Sequence, residues 1–180
     1  MTNATIETRI ARPPDGEYLP YYGKYISLVP DGDIVETLRA QIGDTLSLLR
    51  GISEESASYR YAPGKWSIRE VVGHMADVER VMGYRALRVA RDDKTPLPGF
   101  DENAFVPAAN FEARSLASLA HEFSQVRAAT VAFFETLDPV AAARRGTAND
   151  ATITARALAY IIAGHERHHV GLLKDRYLKG

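Results

Sequence analysis

Three of the chain's five histidines fall in one short run, Gly164-His165-Glu166-Arg167-His168-His169. Imidazole is a common metal ligand and is largely neutral near pH 7. Two histidines four apart on a helix lie on one face, a turn apart, so both rings reach one ion. His165 and His169 have that spacing. His165 and His168, three apart, form a second feasible pair. The stripe Leu158, Ile161, Ile162, His165, His169, Leu172 advances by three or four residues and favours His165 with His169. His168 then reads as an outer partner or an interface residue.

A two-histidine site needs a further ligand. His74 lies among Val71, Val72 and Met75. An imidazole on the apolar side of a bundle helix is costly unless hydrogen-bonded or metal-bound. If its helix faces the one carrying His165 and His169, three neutral imidazoles converge. Positions for water or substrate stay open, as in catalytic zinc sites. Three such ligands suit Zn, Ni, Cu or Fe alike. The competing reading is a solvated polar face. His121 stands alone and reads as an ordinary structural histidine.

The run also contains H-E-x-x-H, as His165, Glu166 and His169. In a metalloprotease Glu166 would be the general base. That reading needs a cleft beside a sheet, and no strand alternation is visible. Glu70 and Asp77 flank His74 at four and three residues, where a carboxylate could fix the second ring N–H of a ligand. Against this stand a capping role for Glu70 and simple solvation for Asp77. Arg85, Arg88 and Arg91 form a ridge that reads as a solvated helix end, or as a contact for cosubstrate carboxylates.

The elements that must position these residues are helices. Residues 1–30, broken by Pro13, Pro14, Gly16, Pro20, Gly23 and Pro30, read as an irregular arm. Its Tyr18, Tyr21, Tyr22 and Tyr25 pack over the bundle, or one of them lines a substrate site. A first helix starts after Asp33, with Glu36 completing a capping-box-like pattern, and stops at Gly51. A second starts at the Ser67/Glu70 capping box and runs from Ile68 to about Asp92. It buries Val71, Val72, Met75, Val78, Met82 and Leu87. Residues 93–113 read as a long loop. A third helix runs from about Ser115 to Leu137, and residues 138–150 form a connection with one short helical turn. The fourth begins near Thr152 or Thr154 and ends near Tyr177. These elements predict an all-α single domain over residues 1–180, built as a four-helix bundle. The long loop leaves room for a crossover.

Composition narrows the function. The 180 residues include no cysteine, which excludes disulfides, thiolate ligands and a nucleophilic thiol, and fits the cytoplasm. With 22 Lys+Arg against 23 Asp+Glu, nothing suggests a nucleic-acid partner. No apolar run approaches the ~20 residues that cross a bilayer, and Met1 to Arg12 show no apolar leader segment.

The run from Gly64 through Trp66, Ser67, Glu70 and Gly73 to His74 resembles the second-helix entry of the DinB-like (YfiT-like) metalloenzyme superfamily. Gly164 to His169 is similar to that family's last-helix metal motif. Pro96 to Asn103 resembles a linking loop of one bacterial branch. The tyrosine-rich arm looks like an extension of that branch, and the likeness runs from about Asp33 to Tyr177. It implies an up-down-down-up four-helix bundle with a long crossover between helices two and three. It further implies a divalent metal ion, usually zinc or nickel, on His74, His165 and His169, and a homodimer. Relatives include transferases of low-molecular-weight thiols such as bacillithiol and a mycothiol-dependent isomerase. There the metal would bind the cosubstrate's thiol and lower its pKa. The nucleophile would then arrive with the cosubstrate, which suits a chain without cysteine. The resemblance thus points to a metal-dependent thiol S-transferase or hydrolase-like enzyme acting on a small molecule. A non-catalytic metal or small-molecule binder of the stress response is the alternative, and a purely structural dimerisation domain the third reading.

Overall fold

The computed structural model describes residues 10–178. The absence of a leader segment was read mostly on residues 1–9, which lie outside those described. Within the arm, Pro20–Tyr22 forms a 3-10 turn and Gly23–Ile26 a single turn of helix, α1, where the sequence suggested irregular chain. The arm is tied to itself and to the start of the last helix. Arg12 donates to the Ile26 and Val29 carbonyls at 2.9 and 2.7 Å. The buried Glu17 accepts from Thr154 at 2.9 Å and from Arg156 at 2.7 and 2.5 Å.

Four long helices follow: α2 (Ile34–Arg50) and α3 (Ile68–Ala90), then, beyond the crossover, a third and a fourth. Asp33 caps α2 by accepting from Val35 and Glu36. Glu36 does not complete the expected box, because Arg39 one turn on takes its carboxylate. Ser67 and Glu70 do form the reciprocal box that starts α3.

The crossover is more ordered than a loop. It holds α4 (Glu102–Ala109), capped by Asp101, and a 3-10 turn at Phe111–Ala113. Pro107 removes one N–H from α4, which ends two residues later with Asn110 in the left-handed region. Then come α5 (Leu116–Glu135), the short α6 (Pro139–Ala142), a hairpin, and α7 (Ala155–Leu172). The last helix closes with a π-helical turn over Leu173–Tyr177.

The hairpin corrects the expectation of no strands. β1 (Arg145–Ala148) pairs antiparallel with β2 (Ala151–Thr154), Arg145 opposite Thr154. Asn149 and Asp150 both have positive φ, 52° and 59°, the two-residue turn that matches strand twist. Four-residue strands are too short for an alternation to show in the sequence. Leu97 and Asn149 exchange backbone bonds with the crossover and hairpin, Leu97 N–H to Thr147 O and Asn149 N–H to Leu97 O, each 2.9 Å.

α3 packs against α7 and α5, while α2 packs against α5 and α7. The first two long helices are therefore diagonal rather than adjacent, as in an up-down-down-up bundle with its crossover between α3 and α5. Two apolar clusters fill the interior. One gathers Val78, Met82, Phe134, Leu158 and Ile161, the other Val71, Met75, Phe111, Leu119 and Phe123. Gly73 admits the Phe111 ring, since a Cβ there would overlap it. Leu87, expected in the core, is exposed, because the stripe of α3 turns away from it.

Candidate metal centre

Between the two apolar clusters runs a layer of buried polar side chains. The α3–α7 contact sets His74 opposite His165 and His169. The Nε2 atoms of His74 and His169 each lie 3.1 Å from His165 Nε2. All three residues are buried, and they form a potential ligand set. Two nitrogens bound tetrahedrally at Zn–N ~2.05 Å sit about 3.3 Å apart, close to this spacing. Burial pushes the His74 pKa down to about 4. Burial, and then the neighbouring imidazoles, hold His165 and His169 well below the usual value. Three neutral rings thus aim lone-pair-bearing nitrogens at one point, and a cation satisfies them together. The donor set fits a divalent ion.

His168 lies outside the trio. It is exposed, with its ring 5.0 Å from that of His169 and 5.4 Å from that of Tyr25. His121 is exposed on α5 and is not one of the grouped ligands. Neither expected carboxylate supports a ligand. Glu70 is held by the capping box and Arg60, and Asp77 pairs with Arg80 at 3.4 Å. His169 Nδ1 is buried without a hydrogen-bond partner among the described residues.

The trio opens on a cavity of about 320 Å³. The Trp66 ring stands 4.6 Å from that of His74, and the Tyr25 ring 5.4 Å from that of His165. Tyr21 and Tyr22 join Tyr25 on the wall, so the arm both covers the bundle and lines the site. Gly164 makes this possible. α1 crosses α7 so closely that a Cβ on Gly164 would overlap the Tyr25 carbonyl.

One feature was missed in the sequence, and another was read only as one of a ridge of three arginines. The first is a charge network beneath the imidazoles. Arg127, 1% exposed, donates to both Glu79 oxygens at 2.8 and 2.7 Å and to Glu166 Oε2 at 2.6 Å. Burial opposes the Arg127 charge, but Glu79 and Glu166 outweigh it and raise its pKa. Thr45 donates to Glu166 Oε1 at 2.6 Å, and Gln41 to Oε2. Glu166 is therefore committed to α2 and α5 and does not line the cavity, which removes the H-E-x-x-H reading. The second is Arg85. It is buried on the cavity wall rather than solvated, whereas Arg88 pairs with Asp93 and Arg91 lies over Phe133. Arg85 follows His74 by eleven residues, three turns of helix, which is the signal that could have placed it on the same face.

The sequence profile of the DinB superfamily matches residues 37–173. The chain belongs to the DinB superfamily. Within it, a 69-residue stretch is 36% identical to a protein of Oceanobacillus iheyensis named as a "putative metal-dependent hydrolase". That stretch spans 38% of the chain and 38% of the relative. The solved structure of YfiT from Bacillus subtilis superposes with a TM-score of 0.67 at 17% identity, covering 92% of this chain and 90% of YfiT. YfiT is described as a probable metal-dependent hydrolase with an unusual four-helix bundle topology. At that identity the likeness carries the fold of this DinB superfamily member and no more.

Proposed function

We propose that the chain is a divalent-metal-dependent enzyme acting on a small molecule, with zinc or nickel held by His74, His165 and His169. The observation that carries this reading is the convergence of three buried Nε2 atoms at the wall of a cavity of about 320 Å³. The name of the Oceanobacillus relative supports it. An ion bound there supplies Lewis acidity, lowering the pKa of water or of a thiol cosubstrate and polarising a carbonyl. Trp66 and Tyr25 wall the ligands and restrict water. His168, exposed beside them, presents a ring able to exchange protons with solvent. The absence of cysteine favours a nucleophile brought from outside, either water in a hydrolase or a low-molecular-weight thiol in an S-transferase. A cytoplasmic homodimer with no nucleic-acid partner completes the reading.

The test is a turnover screen of the zinc- and nickel-loaded protein against activated esters, amides and thiol-plus-electrophile pairs, with His169→Ala as control. Turnover lost in the variant supports the enzyme and tells water from thiol. Bound metal with no turnover in any class favours the alternative, a non-catalytic binder.

A further inference from the structure

Arg127 and Arg85 are both buried arginines of this bundle, but their charges are treated differently. Arg127 is neutralised by two carboxylates. Arg85, 3% exposed, has no carboxylate within ion-pair distance among the described residues. Its guanidinium donates to the Pro98 carbonyl at 2.6 Å, also meets the neutral Tyr22 hydroxyl, approaches Met82 Sδ at 3.7 Å and lies 5.6 Å from the Phe100 ring centroid. Fastening the crossover to α3 through one carbonyl requires a donor, not a full charge. A buried guanidinium without a counter-charge is costly. The one acidic residue among those lining the cavity is Glu102, half-buried and outside ion-pair reach of Arg85.

Arg85 and the imidazoles share that cavity. Along α3 the wall runs His74, Val78, Met82, Arg85, so an apolar stretch separates two polar ends. Eleven residues span about 16 Å of helix axis. Helical side chains lean toward the N-terminus, His74 as well as Arg85, so the guanidinium and the imidazoles stay roughly three helical turns apart along that wall.

We infer that Arg85 binds a carboxylate at one end of an elongated substrate whose other end reacts at the three-histidine site. The middle of the substrate is apolar and lies over Val78 and Met82. This deepens the metal-dependent reading and rests on it. The carboxylate supplies the missing counter-charge, and guanidinium–carboxylate pairs are strong because the bonds are charge-assisted.

The test uses three hydroxamates, which chelate metal at one end, titrated calorimetrically into zinc-loaded protein. Suberic monohydroxamic acid carries a terminal carboxylate, octanohydroxamic acid ends in methyl, and acetohydroxamic acid reports the metal alone. The carboxylate probe should bind roughly tenfold or more tightly than its methyl counterpart. Arg85→Gln should erase that preference while acetohydroxamate affinity and zinc content stay unchanged. Arg85→Lys, which keeps the charge, should retain part of it and covers the case in which the Gln variant fails to fold. Equal affinity of the two long probes for the wild type, with acetohydroxamate binding normally, overturns the role of Arg85 alone. Failure of acetohydroxamate to bind overturns the metal reading, and this inference with it.

Discussion

Glu166 adjoins His165 in the chain, yet its carboxylate is turned into the bundle, where Arg127 Nη1 donates to it at 2.6 Å. Neighbours on a helix point about 100° apart, so one residue serves the cavity and the next the α2–α5 interface. Glu166→Gln should leave metal content intact. It should destabilise the metal-free protein by about 3 kcal/mol, because Arg127 loses one of its two counter-charges in the interior. Urea unfolding beside metal analysis separates the two effects. Metal loss without a stability change would instead make Glu166 part of the site.

Gly164→Ala should push α1 off α7, since the new Cβ overlaps the Tyr25 carbonyl. The arm's tyrosines then leave the cavity wall. The expected result is faster limited proteolysis between Gly16 and Pro30 and a loss of stability of about 1–3 kcal/mol, as for overpacked core sites. Unchanged proteolysis would mean that the arm tolerates the shift.

Acid should weaken the metal-free protein. The His74 pKa is lowered from 6.5 to about 4 by burial. Above pH 6.5 the ring is neutral in folded and unfolded chains alike. Below it the unfolded chain takes up a proton that the folded one refuses, so stability falls as pH drops from 6.5 toward 4. For His74 the full loss is roughly 3 kcal/mol. His165 and His169 are shifted in the same direction. Urea midpoints at pH 7.5, 6 and 5 should decline, and less steeply in His74→Gln. A parallel decline in that variant would remove His74 as a cause.

The helices and the His165/His169 pair were legible because each rests on a local pattern, whereas His74 joined them only through the family resemblance. The Ser67/Glu70 box fixes the start of α3, and the four-residue step from His165 to His169 fixes one face of α7. What stayed hidden depends on contacts distant in the chain. Arg127 looks like a surface cation until Glu79 and Glu166 arrive from two other helices. Arg85 was grouped with Arg88 and Arg91 by spacing, whereas its burial is decided by the crossover segment around Pro98 and Phe100. The β1–β2 hairpin escaped because its turn, Asn149-Asp150, lacks the glycine that usually announces two positive φ values. The helix within the crossover escaped because Pro107 reads as a breaker.

The most direct test of the central claim is metal per chain, by inductively coupled plasma mass spectrometry. The protein is made without a histidine tag or metal-affinity resin, incubated with zinc or nickel and then desalted. Wild type and His121→Ala should each hold about one ion per chain, and His74→Ala and His169→Ala should hold almost none. An ion retained in full by His74→Ala, or a wild type that takes up neither metal, would contradict the three-histidine centre.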